Sequence, residues 1–258
     1  KPASFFDALI PISVLICLLG AAVYLFGDNS SSGPNQIALL FATFAAALIG
    51  LKNGYTWKKL EQAMIEGITL SLGAILILLM VGALIGTWLL SGTVPTLIYY
   101  GLQVINPSWF YAALIIFIFM GFNATASSEA GRIDEITAIL QQNFNIGFEM
   151  LIPLIVLLVL AIKKMPAFPA ISIGAVVGAV WAMLFQSDLI ASQIDVSQGQ
   201  LVGYFKLVWT TFFDGFSIST GDDKMDSLLS GGGMSGMLTT TWLIMTALMF
   251  GAIMEKTG

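Results

Sequence analysis

From Gly67 to Ile105 the chain runs 39 residues without one aspartate, glutamate, lysine or arginine. A run of that kind belongs in lipid, because a helix of about twenty apolar residues already crosses the ~30 Å hydrocarbon layer. It is longer than one crossing and barely enough for two. Gly86-Thr87-Trp88 and Ser91-Gly92-Thr93-Val94-Pro95-Thr96 interrupt its second half. Glycine and proline weaken a helix, and proline also removes a donor. The pattern predicts one span over about Ile68 to Ile85, then a broken or re-entrant segment whose freed carbonyls are met by side chains, water or an ion.

Composition extends this to the whole molecule. The 258 residues are 57% hydrophobic and 10% charged, with mean hydropathy +0.91, too few polar side chains to cover a water-soluble globule. The fold class read from the sequence is all-α, a polytopic transmembrane helical bundle whose first partner is the lipid bilayer. There is no histidine, which removes His-based zinc sites, Ser-His-Asp triads and imidazole proton relays. Cys17 is the single cysteine, so no intrachain disulfide forms, and it reads as a packed apolar thiol. A net charge of −5 without a concentrated basic face excludes nucleic acid. Neither end looks like a natural terminus, and no signal-peptide pattern precedes the first span.

Further spans are expected at about Ala8 to Phe26, Gln36 to Leu51, Met150 to Ile162, Ala170 to Phe185 and Met237 to Met254. Trp109 to Phe122 is a fourteen-residue apolar stretch, short for a crossing. Trp57 to Glu66 mixes charge with Leu60, Met64 and Ile65 at helical spacing, as an interfacial helix would. Asn123 to Asn145 carries Ile133, Ile136, Ile139 and Leu140 on one face, a second interfacial or solvent-side helix. Tyr204, Phe205, Trp209, Phe212 and Phe213 form an aromatic belt ahead of the Gly/Ser/Asp-rich Asp214 to Gly236. Lys52, Lys58 and Lys59, and again Lys163 and Lys164, mark cytoplasmic loops and require an odd number of crossings between them.

Met80-Val81-Gly82-Ala83-Leu84 recurs as Met249-Phe250-Gly251-Ala252-Ile253, and each half reads hairpin, amphipathic connector, long span. That suggests an internal duplication. The expected organisation is a first transmembrane repeat over 1–122, a polar connector over 123–148 and a second repeat over 149–258.

Oxygen ligands and helix breakers coincide at one place. Thr87, Ser91, Thr93 and Thr96 surround Gly86, Gly92 and Pro95 in a chargeless stretch, as the site for a hard cation such as Na⁺ requires. The competing reading is ordinary small-residue packing between helices.

The sequence from Gly86 to Leu102, followed by Asn106-Pro107-Ser108-Trp109-Phe110-Tyr111, resembles the NhaC family of Na⁺/H⁺ antiporters. Leu51-Lys52-Asn53-Gly54-Tyr55 and Asp226 to Met234 are similar to it as well, so the resemblance touches almost the whole chain. It implies an inverted-repeat secondary transporter in the cell inner membrane, with no cofactor. It also implies exchange of external protons for internal Na⁺; some relatives instead exchange organic anions such as malate and lactate. A homo-oligomer is compatible with that class.

Three departures stand out. After Tyr111 the family continues into Ser/Thr/Gly-rich and Asp-containing intramembrane segments, whereas here Phe117 to Phe122 passes straight into polar sequence, so a block of the first half is expected to be absent. The second-half counterpart of the broken segment is expected beyond Gly258. Gly231 stands where the family tends to have arginine.

No expected span carries a carboxylate in its interior. Glu66, Glu149, Asp214 and Glu255 lie at span or connector ends, where solvation explains them. Of Asp222, Asp223 and Asp226 in the long polar loop, Asp226 is the best candidate, because the following glycine run can bend it back toward the broken helix. Gly221-Asp222 matches half of an intramembrane aspartyl protease signature, but Ser219 replaces the first glycine and no partner aspartate sits in another span. A non-transporting membrane fragment is the remaining alternative.

Overall fold

A computed structural model of the chain describes residues 4–104, 129–194 and 199–257. Among them the structure is helical, with one isolated antiparallel bridge between Phe216 and Gly231. The helices are α1 (Phe5–Phe26), α2 (Pro34–Lys52), α3 (Trp57–Leu90), α4 (Thr93–Val104), α5 (Glu129–Asn143), α6 (Ile152–Ile162), α7 (Ala167–Phe185), α8 (Ser187–Gln193), α9 (Gln200–Asp214), α10 (Asp223–Leu229) and α11 (Gly233–Thr257). Five of them, α1, α2, α3, α7 and α11, are long and apolar enough to cross a membrane. Large apolar side chains such as Leu70 and Ile162 stand about 80% exposed, which suits a lipid-facing surface. The chain is an all-α polytopic bundle.

It forms two compact units, Lys1–Leu79 with Ser235–Gly258, and Met80–Met234. In the first, α1 and α2 make a hairpin closed at its open ends by Lys52 Nζ and Asp7 Oδ1 at 3.0 Å. Pro34 opens α2 at a position where its missing N–H costs nothing. The buried face of α2 is Ala38, Ala42, Ala46, Ala47 and Gly50, small side chains that let Leu60 and Ile253 approach. α3 and α11 come closer still, since a Cβ on Gly67 would lie 2.7 Å from the carbonyl oxygen of Leu248. Gly67→Val is therefore expected to destabilise the protein by about 1–3 kcal/mol. Gly73→Val, whose Cβ would meet nothing within 4 Å, should leave the melting temperature of the purified protein unchanged; equal melting of the two variants would refute the close crossing.

Three expectations change. The interfacial helix at Trp57 to Glu66 and the span at Ile68 to Ile85 are one 34-residue helix, α3, about 51 Å long at 1.5 Å per residue. No proline interrupts it, and Gly67, which looked like a boundary, is a packing residue. The break expected over Gly86 to Thr96 is confined to Ser91 and Gly92, since α3 runs on to Leu90 and α4 begins at Thr93. Met150 to Ile162 is not one straight span: a 3₁₀ turn at Phe148–Leu151 precedes the eleven-residue α6, and this segment bends 84° from Glu135–Asn143. The stretch Trp109 to Phe122 lies outside the described residues.

Candidate functional site

The candidate hydroxyls sit in the second unit, where α3 packs on α7. The α7 face is a small-residue stripe of Ala170, Gly174, Ala175, Gly178, Ala179 and Ala182, all buried, and it lets side chains of α3 touch the α7 backbone. Trp88 Nε1 donates to the carbonyl of Gly174 at 3.3 Å, and a Cβ on Gly178 would fall 3.2 Å from Thr87 Oγ1. Thr87 thus lies level with the middle of α7, a membrane-length helix.

Thr87, Ser91, Thr93 and Thr96 are each 0% exposed. Thr87 Oγ1 donates back into its own helix, sharing its proton between Ala83 O at 3.1 Å and Leu84 O at 3.0 Å. Gly92 adopts φ +76, a conformation that glycine tolerates and that turns the chain from α3 into α4. Thr93 Oγ1 donates to Met150 O at 2.8 Å and lies 2.8 Å from Ser91 Oγ. Since the one Thr93 proton is committed to Met150, Ser91 must donate in the Ser91–Thr93 bond, or turn to Trp88 O at 3.2 Å. Thr96 differs from the others. Its Oγ1 is buried and has no hydrogen-bond partner, which costs about 1–3 kcal/mol.

Sequence reasoning missed Gln186. This 2%-exposed carboxamide follows α7 and ties the two discontinuities together. Its Nε2 donates to Ser91 O at 3.3 Å and Asn145 O at 2.9 Å, while its Oε1 accepts from the Asn145 N–H at 3.0 Å. The α3–α4 break and the α5–α6 bend therefore share one side chain. The only signal was a polar residue directly after the apolar Ala170 to Phe185, which reads equally well as an interface residue.

Gly86, placed in the break by sequence, instead admits another backbone to α3. A Cβ on Gly86 would lie 2.8 Å from Thr211 O and 3.3 Å from the Gly233 nitrogen. The Phe216–Gly231 bridge holds that loop with bonds of 2.9 and 2.7 Å, and Gly232 and Gly233 have φ +75 and +79.

Asp226 is half-buried on α10. Its Oδ1 accepts from both the N–H and the hydroxyl of Thr220 at 2.6 Å, so its hydrogen bonds run to the loop before α10 rather than to the four hydroxyls. Its neighbours Met225 and Leu229 share a buried cluster with Leu89 and Leu90, the end of α3. Among the described residues no three acids or thiols gather as metal ligands.

The sequence pattern of the Na⁺/H⁺ antiporter family matches residues 96–258, more than half of the chain. The chain belongs to the Na⁺/H⁺ antiporter family. Within this family of antiporters it is similar along its length to proteins of different cargo. It is 29% identical to the Malate-2H(+)/Na(+)-lactate antiporter of Bacillus subtilis (strain 168), over 99% of this chain and 70% of that protein. It is 22% identical to the Na(+)/H(+) antiporter NhaC of Alkalihalophilus pseudofirmus, over 86% of this chain and 64% of that protein. It is 23% identical to the Arginine/ornithine antiporter ArcD of Halobacterium salinarum, over 100% and 68%. The chain spans 64 to 70% of the length of these relatives. The first alignment runs over 347 positions against 258 residues, so at least 89 positions of that antiporter have no counterpart here. The chain is therefore partial relative to that antiporter. No solved structure is significantly similar.

Proposed function

We propose that this chain forms the core of a secondary antiporter that exchanges Na⁺ for H⁺ across the cytoplasmic membrane by alternating access, using an inverted-repeat scaffold. Thr87, Ser91, Thr93 and Thr96 with the carbonyls of the α3–α4 break supply oxygen ligands for Na⁺, and Asp226 carries the proton. The observation that carries this reading is the orphan Thr96 Oγ1, fully buried one turn after the break. A cation coordinated there would offset the cost of that unpaired oxygen. Hydroxyl and carbonyl oxygens suit a hard cation, and unwound backbone in a membrane is tolerated where it lines such a site.

The malate and lactate reading is supported by the Bacillus subtilis relative, but an organic dianion calls for arginine or lysine opposite its carboxylates. Among the described residues the hydrogen bonds around the break involve hydroxyls, carboxamides, backbone and the Met150 sulfur, with no arginine or lysine.

Sodium-driven pH changes in everted vesicles bearing the full transporter test the assignment. Thr96→Ala is expected to raise the apparent KM for Na⁺ about tenfold, the equivalent of about 1.4 kcal/mol, with Thr96→Ser near wild type. Asp226→Asn should abolish Na⁺-driven proton flux. An unchanged KM in Thr96→Ala would move the Na⁺ site elsewhere, and flux driven by malate or lactate but not by Na⁺ would favour the anion exchanger.

A further inference from the structure

A cavity of about 630 Å³ opens beside the break, inside the second compact unit. α4 contributes Tyr99, Tyr100 and Gln103, the end of α5 contributes residues 141–146, and the junction of α7 with α8 contributes Gln186 and Asp188. Its walls are held in place. Gln141 Nε2 donates to the Tyr99 hydroxyl at 2.7 Å, and Tyr100 stacks on Phe148 at 4.5 Å between ring centroids.

Carboxamides and phenols dominate the lining. Among the described residues it contains one carboxylate, Asp188, and no lysine or arginine. Carboxamide and phenol oxygens can replace part of a cation's hydration shell, and a concave site with a single negative charge concentrates cations and repels anions. The space accommodates a monovalent ion with several of its waters. An acid in the first turn of a short helix is unremarkable by itself, and a polar cleft between loops is common on any protein surface. The floor of this one is different: Gln186 is 2% exposed, and its amide donates to Ser91 O, whose own hydroxyl bonds Thr93. Gln186 thus both lines the cavity and bonds the backbone of the hydroxyl cluster.

We propose that this cavity is the vestibule through which a hydrated monovalent cation passes between the external solution and the α3–α4 break, with Asp188 as the carboxylate that holds cations at its mouth and Gln186 as the floor they must pass. The inference rests on the Na⁺/H⁺ reading. It adds a route between the external solution and the break, with its charge selectivity, and it disfavours passage of an organic anion by the same path.

Cys17, expected as a packed thiol, is instead exposed on α1 in the other unit, and Cys17→Ser gives a cysteine-free background. Gln103→Cys then places a single thiol on the cavity wall of the full transporter. Cationic methanethiosulfonate ethylammonium is expected to label it about tenfold faster than anionic methanethiosulfonate ethylsulfonate, and Na⁺ should slow the cationic reagent. Asp188→Asn should erase that preference. It should also raise the apparent KM for Na⁺ about two- to fivefold at low ionic strength, with maximal flux unchanged, and the difference should close as choline chloride shortens the Debye length to about 10 Å near 0.1 M. A purely structural role for Asp188 would not produce that salt dependence. Equal labelling by the two reagents, no labelling, or an unchanged KM in Asp188→Asn while the parent still exchanges Na⁺ for H⁺ would overturn the vestibule. Absence of Na⁺-driven proton flux in the parent would instead overturn the transport reading, and the labelling preference would then decide the cavity by itself.

Discussion

Replacing Gln186 by leucine is expected to silence Na⁺-driven proton flux and lower the melting temperature of the purified protein, whereas glutamate is expected to function only toward acidic pH. The leucine keeps roughly the volume and removes every polar contact. Ser91 O, Asn145 O and the Asn145 N–H then lose a partner that the structure places at 3.3, 2.9 and 3.0 Å. Buried unsatisfied groups cost about 1–3 kcal/mol each, so the local arrangement loses about 2–6 kcal/mol even if water satisfies one of them. Glutamate separates geometry from mere volume. Its charged form turns an acceptor on two carbonyls and repels them, while its protonated form donates one hydrogen bond and restores part of the clasp. Activity relative to wild type should therefore rise as pH falls in Gln186→Glu and stay low at every pH in Gln186→Leu. If both variants kept the wild-type KM for Na⁺ and the wild-type pH profile, Gln186 would be a packing residue and nothing more.

Gly232→Val is the second large effect, and it should remove folded protein from the membrane altogether. A Cβ at this position would run into the Gly86 nitrogen and come within 2.8 Å of the Gly86 Cα, both backbone atoms that cannot rotate aside. The residue also sits at φ +75, where a β-branched L-residue costs at least about 1–2 kcal/mol before any clash. Gly236→Ala is the matched control, since a Cβ there meets nothing within 4 Å. Fluorescence-detected size exclusion of both variants checks this: a monodisperse Gly232→Val peak at the parent's level would show that the loop does not lie against α3. Gly231 has open space around its Cβ but a φ of +139, so its variants meet backbone strain without the clash that Gly232 variants meet.

The fold class was legible because lipid imposes it. The chargeless stretch that begins at Gly67 and the repeated apolar stretches leave helices as the solution, and α1, α2, α7 and α11 extend the expected segments by at most about four residues at either end. Helix length was less legible. Charged residues between Trp57 and Glu66 suggested a change of environment, but charge alone does not stop a helix, and α3 continues through them. Gly86 and Gly92 show the same ambiguity at single residues. Both are glycines within one motif, yet Gly92 turns the chain and Gly86 admits a neighbouring backbone, and only the tertiary partners tell them apart. The four hydroxyls were legible as a group because breakers and oxygens coincide in the chain. Their unequal status was not, since Thr93 bonds Met150 fifty-seven residues away while the Thr96 hydroxyl has no partner among the described residues. Gln186 was invisible for the same reason: its partners lie 41 and 95 residues distant.

The hydroxyl cluster has one further consequence. Four threonine and serine side chains with backbone carbonyls are electrically neutral when vacant and carry a full positive charge once Na⁺ is seated. Moving a unit charge through the membrane field involves about 2.3 kcal/mol per 100 mV. On the proposed assignment, Na⁺ in the neutral cluster with Asp226 ionised carries no net charge, and neither does the vacant cluster with Asp226 protonated, so exchange of one Na⁺ for one H⁺ would leave both limbs of the cycle insensitive to membrane potential.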